Sequence, residues 1–397
     1  MTLLTTLHQK TAAAGTRVIL LRHGQSTYNA AKRHQGCCDD SVLTATGRLT
    51  AYQSGLLLRQ LNLNTCYVSP LQRAQETAQE VLAAIATATD QPPEVIVHPA
   101  LREVSLPLWE GLPYQVVREQ FAVEYRRWKE QPDRFQMMLQ SEELQTARES
   151  PISARVIQHH YPLLDLYDRA HQFWREILPY YDGETLLVVA HSGTIRALIS
   201  TALGIAPSYF HRLQQSNCGI SVLQFPKIWE QPTCLEVMNS TAHLGEALPK
   251  LKEGKQGLRL LVVPAEGETT RTQALAQRLN AVEIDFCLCD DRQRSQQAVK
   301  QLLPAPNRVQ TSVVSEESLR AWHQVLLAQR PARPAVGAIT ERPWTALIVA
   351  HPAIALQLIS QMLGVRFQHL HLIPDTLSVI HYPQTLNNPV LQAMNLD

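Results

Sequence analysis

Short apolar runs recur along this chain, each passing through a polar turn into a stretch with helical period. In the first half, residues 19–21, 66–68, 95–97 and 186–190 read as strands, and the run from Thr16 is apolar on both faces, as expected of a buried parallel strand. Residues 47–61, 71–87, 162–180 and 194–203 carry apolar positions at helical spacing. Strand and helix in alternation predict an α/β fold of three layers, α/β/α, around a mostly parallel sheet. In such folds ligands bind beyond the carboxyl ends of the strands.

The pattern occurs twice. Residues 185–205, TLLVVAHSGTIRALISTALGI, match residues 345–365, TALIVAHPAIALQLISQMLGV, at 10 of 21 positions without a gap. Each copy is an apolar strand, a His, a turn and a helix ending at Gly204 or Gly364, a residue suited to the left-handed position that closes a helix. A weaker match joins TRVILLRHGQST, from Thr16, to LRLLVVPAEGET, from Leu258. The charged stretch GEALPKLKEGKQ between the copies reads as a linker. The expected organisation is therefore two such α/β/α domains, residues 1–244 and 257–397, joined by a linker at 245–256.

Composition narrows the partners. With 36 basic and 35 acidic residues the net charge is +1, which gives no electrostatic reason to expect nucleic acid or a membrane surface. The seven cysteines include no C-x-x-C pair and read as reduced thiols. No apolar run approaches the ~20 residues that span a bilayer, and the first fifteen residues lack a signal peptide's apolar core. A cytoplasmic location and a small-molecule partner are expected, with self-association into a homodimer left open.

The predicted strand ends carry distinctive side chains: Arg22-His23-Gly24-Gln25-Ser26 with Asn29 beyond, Ser69-Pro70-Leu71-Gln72-Arg73, Leu101-Arg102-Glu103 followed by Trp109-Glu110-Gly111, and Ala190-His191-Ser192-Gly193. Together they suit a phosphomonoester. A guanidinium matches two phosphate oxygens at once, so Arg22 and Arg73 would clamp the dianion. The imidazole of His23 is a nucleophile available near pH 7. His191 would donate to an equatorial oxygen as charge shifts in the transition state. Glu103, held protonated by a phosphate-rich neighbourhood, would deliver a proton to the leaving oxygen, with Glu110 as the competing carboxylate. Gly24, Ser26, Asn29, Ser192 and Gly193 complete the candidate phosphate-contact set, although Ser26 and Asn29 equally suit a helix cap. With two Arg and His191 to neutralise charge, neither metal nor cofactor is called for. His159, His160 and His171 lack carboxylate or Cys partners at ligand spacing; His160 or Tyr161 is instead a candidate to reach over the substrate.

In this order, RHG, SPLQRAQETA, LRE with WEG, and VVAHSG, the motifs of residues 16–244 resemble the histidine phosphatase superfamily, which includes cofactor-dependent phosphoglycerate mutases. The resemblance implies two phosphoglycerate mutase-like domains and a phosphohistidine at His23. It also implies phosphate contacts from Arg22, Asn29, Arg73 and His191, and Glu103 as proton donor. Within the superfamily, Ser208-Tyr209-Phe210, LQQSNCGISVLQF and EYRRWKEQPDRF resemble the plant phosphatases that act on 2-carboxyarabinitol 1-phosphate, as does the presence of a second copy. An insertion at residues 137–158 departs from that pattern in the region that covers the active site.

The expected activity is hydrolysis of a small phosphorylated sugar or sugar acid. The alternatives are a phosphoglycerate mutase, disfavoured because Arg126-Arg127 lead into WKEQPDRF rather than a Pro-rich segment, and a non-catalytic phosphometabolite-binding protein. In the second copy Pro264-Ala265-Glu266 stand in place of Arg22-His23-Gly24, Pro352-Ala353 in place of Ser192-Gly193, and Leu356 in place of Arg196. That copy is expected to be catalytically silent, with His351 a structural residue.

Overall fold

The computed structural model describes residues 15–89, 91–140, 157–227, 232–266, 269–303, 309–317, 342–384 and 388–397. In chain order the first half supplies β1 (Gly15–Arg22), β2 (Thr65–Val68), β3 (Glu94–Val97), a separate antiparallel pair β4 (Met137–Gln140) and β5 (Ile157–His160), then β6 (Thr185–Ala190), β7 (Ile220–Pro226) and β8 (Cys234–Ser240). The second half supplies β9 (Gly257–Pro264), β10 (Phe286–Asp290), β11 (Gln310–Val314), β12 (Trp344–Ala350), β13 (Leu377–Pro383) and β14 (Val390–Leu396). Most of the insertion at 137–158 lies outside the described residues; its ends form β4 and β5.

All but β4 and β5 join one 12-stranded sheet, ordered β11-β10-β12-β9-β13-β14-β8-β7-β1-β6-β2-β3. The order on one side of the β14–β8 junction mirrors the order on the other. Strands β1, β6, β2 and β3 are parallel, as are β9, β12, β10 and β11. The expected mostly parallel sheets are corrected here: β7, β8, β13 and β14 run antiparallel to their neighbours, and the two copies share a single mixed sheet. The reason is physical. Each copy ends in a strand whose outer N–H and C=O groups would be an unpaired edge, and pairing β8 with β14 removes both edges at once.

The helices are α1 (Thr27–Ala30), α2 (Ala45–Leu58), α3 (Gln72–Ile85), α4 (Tyr114–Gln120), α5 (Ala122–Glu130), α6 (Pro162–Ile177), α7 (Ser192–Leu203), α8 (Thr269–Leu279), α9 (Gln293–Leu302) and α10 (Pro352–Leu363). Alternate side chains of β1 point to opposite faces. Ile19 and Leu21 pack with Ala51 and Leu58 of α2 and Val81 of α3, whereas Val18 and Leu20 join Phe173 of α6 and Leu198 of α7 on the other side. This second apolar layer does not stop at the junction. It continues through Met238, Leu391 and Met394 to Leu260, Val262 and Leu358 of the second half. Among the described residues no helix is long and apolar enough to cross a membrane, and all seven cysteines are free thiols.

The strand register makes the repeat concrete. Arg22 pairs with Ala190 and Pro264 with Ala350, and the amide of His23 donates to Ala190 O at 2.9 Å as that of Ala265 does to Ala350 O at 2.8 Å. Ala265 thus occupies the backbone position of His23. The helices that follow, α7 and α10, both close on a left-handed glycine, Gly204 and Gly364, each at φ +69°.

The stretch read as a linker is held to the body of the protein. Gln214 Nε2 donates to Lys250 O at 3.0 Å, Arg259 donates to Pro249 O, and Glu253 pairs with Lys129 at 2.8 Å. Leu391, fully buried, sits where the layer crosses the junction, its carbonyl accepting from the Gln214 amide at 2.9 Å. Replacing it with Ala should cost about 2–5 kcal/mol and lower the midpoint of one cooperative denaturant transition, followed by far- and near-ultraviolet circular dichroism. Two separated transitions in the parent protein would contradict the shared layer.

Candidate active site

The parallel pairing of β1 with β6 sets His23 and His191 side by side, each the first residue past its strand. Their ring centroids are 5.2 Å apart and the planes are tilted by 56°. Both are withdrawn from solvent, at 2% and 0% exposure. His23 Nδ1 lies 2.8 Å from Gly24 O. A carbonyl oxygen can only accept, so Nδ1 carries the proton and Nε2 keeps its lone pair. Asn217 Nδ2 fixes this turn from the far side, donating to His23 O at 3.0 Å and Gly24 O at 3.1 Å. His191 Nε2 lies 2.7 Å from Ser69 Oγ, at the end of β2.

Burial, then the charges of Arg22 and Arg73, hold the His23 ring well below the usual imidazole range. Burial, then Arg73, His23 and Arg22, do the same to His191. Both rings are therefore neutral near pH 7. Arg22 donates through Nη1 to Gln215 O at 2.9 Å; Arg73 is fully buried and donates through Nη1 to Cys38 O at 2.9 Å and Nη2 to Gly36 O at 2.8 Å. Desolvation pushes Arg22 down to about 10, which leaves it cationic.

Glu103 faces this group from the N-terminus of α7. Its Oε2 accepts from the Gly193 amide at 3.1 Å, and its Oε1 from the amides of Val104 at 2.8 Å and Thr194 at 3.1 Å. A Cβ at 193 would lie 2.4 Å from Glu103 Oε1, so any side chain there would displace that carboxylate. Glu110, the competing carboxylate, instead accepts from the amides of Cys37 at 2.8 Å and Leu106 at 3.2 Å, and does not reach the cavity wall.

A cavity of about 410 Å³ opens over these strand ends. Of the expected residues, Arg22, Asn29, Glu103, Ser192 and Gly193 stand on its wall; His23, Arg73 and His191 do not. Asn29 Oδ1 accepts from the Ser26 amide at 3.3 Å and from Asn217 Nδ2 at 2.9 Å. Ser26 is fully buried, forms a capping box with Asn29 at the start of α1, and donates to Gln35 Oε1 at 2.8 Å, so its polar atoms serve the helix end. The Gly24 amide is likewise spent on Thr77 Oγ1 at 3.0 Å. His160 bonds Ser105 O at 3.1 Å and Tyr161 is exposed; neither is on the wall. His351 Nδ1 accepts from the Ala353 amide at 3.3 Å as the cap of α10.

Residues unassigned from the sequence complete the site. Ser69 and Asn217 lie within SPLQRAQETA and LQQSNCGISVLQF, but nothing in those strings separates them from neighbouring polar residues. Arg118, Lys129, Arg196, Lys252 and Glu253 also stand on the wall. The last two come from the supposed linker.

The sequence model of the histidine phosphatase superfamily (branch 1) matches residues 18–230, more than half of the chain. A 2-carboxy-D-arabinitol-1-phosphatase of Triticum aestivum is 33% identical over 260 residues, 65% of this chain and 47% of the relative. A probable 2-carboxy-D-arabinitol-1-phosphatase of Arabidopsis thaliana is 33% identical over 278 residues, 68% of this chain and 52% of the relative. Phosphoserine phosphatase 1 of Hydrogenobacter thermophilus is 28% identical over 230 residues, 58% of this chain and 95% of that protein. The chain spans about half the length of the first two curated relatives it matches.

The buried imidazoles should weaken the fold in acid. Desolvation pushes His34 and His243 down to about 4, and His23, His191 and His211 also lie well below their usual range. In the unfolded chain these rings take up protons near pH ~6.5. The unfolded state then binds more protons than the folded state, so their stabilising effect is complete above pH ~6.5 and is lost as pH falls toward about 4. The urea midpoint should be lower at pH 5.0 than at pH 7.5, and His243→Gln should reduce the difference. Equal midpoints at the two pH values would contradict neutral buried rings.

Proposed function

The chain belongs to the histidine phosphatase superfamily, and from that premise we propose that it is a phosphomonoesterase acting on a small phosphorylated sugar or sugar acid through a phosphohistidine at His23. The observation that carries this reading is a neutral imidazole with Nε2 unencumbered, set 5.2 Å from a second ring and influenced by two guanidinium groups. Arg22 and Arg73 clamp the phosphoryl oxygens, and His191 donates to an oxygen that gains charge in the transition state.

In the first step His23 Nε2 attacks phosphorus in line, the phosphorus–ester oxygen bond breaks, and Glu103 gives its proton to the departing alkoxide. Glu103 Oε1 is already engaged by two amides and Oε2 by one, so Oε2 is the atom assigned to proton transfer. In the second step Glu103 takes a proton from water, whose oxygen attacks phosphorus; inorganic phosphate leaves and His23 regains its lone pair. The second half would supply no nucleophile at the equivalent position, since Ala265 takes the backbone position of His23.

One feature favours a second reading. Arg118, Arg196 and Lys252 on the cavity wall supply the extra cationic contacts that a mutase needs to reorient a bisphosphate. Release of inorganic phosphate supports the phosphatase; isomerisation of 3-phosphoglycerate without release supports the mutase.

His23→Ala should abolish turnover and eliminate the acid-labile ³²P label that the parent enzyme retains after quenching. Hydrolysis above a few per cent of parental activity would rule out the covalent route, and turnover without any label would leave only a direct one. Glu103→Gln should slow release of a poor leaving group by about 10²–10⁴-fold and that of p-nitrophenolate far less.

A further inference from the structure

The stretch that joins the two halves also builds part of the active-site wall. Residues 249–253 are fastened by Gln214, Arg259 and the Lys129–Glu253 ion pair, whose side chains are only 9% and 17% exposed. That anchoring places the Lys252 side chain on the cavity wall, where its ammonium donates to Gln215 O, the same oxygen that accepts from Arg22 Nη1. A cation from the connecting segment therefore stands beside the proposed phosphate clamp, sharing its acceptor.

The charges on this wall do not balance. Glu253 is engaged by Lys129 and Glu103 by backbone amides. Arg196 is held on the cavity wall, its guanidinium 5.4 Å over the Phe210 ring and Nη1 3.5 Å from His211 Nδ1, with its Nε buried and unpartnered. His211 supplies no charge. Its Nε2 donates to Trp128 O at 2.9 Å, and burial, then Lys129 and Arg196, keep the ring well below the imidazole range. Desolvation, then Arg22 and Arg196, press the Lys252 ammonium well below the usual lysine range. Cations crowded so closely are relieved by an incoming anion. The phosphoryl group itself is assigned to Arg22, Arg73 and the two imidazoles; Arg118 sits 5.7 Å over the Tyr125 ring, and Lys252 and Arg196, near enough for each charge to act on the other, remain for another group on the same molecule.

We propose that Lys252, delivered by the segment connecting the two halves, acts with Arg196 to bind a carboxylate on the substrate and so selects phosphorylated acids over neutral phosphomonoesters. This inference rests on the phosphatase reading above and names the substrate class for that site. It also gives the second half a function without chemistry: β9 begins a few residues after Lys252, and Arg259 within it holds Pro249, so the second half is the anchor of the specificity wall.

The test compares 3-phosphoglycerate with glycerol 3-phosphate, which lacks the carboxylate. Lys252→Met keeps the aliphatic stem and removes the charge. It should lower kcat/KM at least tenfold more for 3-phosphoglycerate than for glycerol 3-phosphate, chiefly through KM, and Lys252→Arg should restore most of the difference. Equal losses on both compounds would assign Lys252 to holding Arg22 or the fold, and no loss on either would exclude it from recognition; each result overturns the proposal. A binding measurement separates this from the catalytic reading. In the His23→Ala background, calorimetry should show the same carboxylate-dependent loss of 3-phosphoglycerate affinity on adding Lys252→Met. If that loss is seen while the parent enzyme hydrolyses neither compound, the phosphatase reading fails and the carboxylate site stands; if hydrolysis is seen without selective loss, the reverse holds.

Discussion

The parallel pairing of β1 with β6, in the register that sets Arg22 opposite Ala190, is the constraint on which the site depends. It brings His23 and His191 level at the sheet's carboxyl edge although 168 residues of sequence separate them in number. β2, on the far side of β6, then presents Ser69 to His191, and the start of α3 presents Arg73 to both rings. A slip of one residue between β1 and β6 would turn Ile19 and Leu21 into the opposite apolar layer and misplace every one of these groups. The fully buried aliphatic strands that make such a slip costly are the same ones that hold the polar edge rigid.

Electrostatics and geometry favour one division of labour among the polar groups. Burial keeps the two imidazoles uncharged, while the neighbouring guanidinium groups, too basic to lose their protons, retain theirs. The chemistry of the proposed reaction needs both conditions at once: a lone pair on Nε2 and fixed positive charge around it. The second copy keeps the backbone scaffold but not the Arg-His pair at the end of its first strand. Where β1 runs into Arg22 and His23, β9 runs into Pro264 and Ala265, and the amide bond to the neighbouring strand is preserved while that guanidinium and that imidazole are absent.

Much of this arrangement was legible in the residues. Buried parallel strands are continuous apolar runs, so β1, β2 and β6 and the helices after them stand out, and the groups just past such strands are natural site candidates. The antiparallel strands β7, β8, β13 and β14 have no following helix to mark them, which is why a mostly parallel sheet was expected and a mixed one found. Ser69 and Asn217 were hidden because their roles depend on which atoms they meet, His191 Nε2 and the carbonyls of residues 23 and 24, and residue type alone does not encode that. Lys252 was hidden for another reason: a charged, Gly-containing stretch looks the same whether its lysine points to bulk water or into a cavity.

The fusion of the two copies through β8 and β14 has a consequence for how the protein can change. Because the chain connecting the two copies also forms part of the cavity wall, substitutions in the carboxyl-terminal copy can reshape that cavity without touching Arg22, His23, Glu103 or His191. On the proposed reading, the carboxyl-terminal copy is the frame on which the other copy's selectivity can be adjusted.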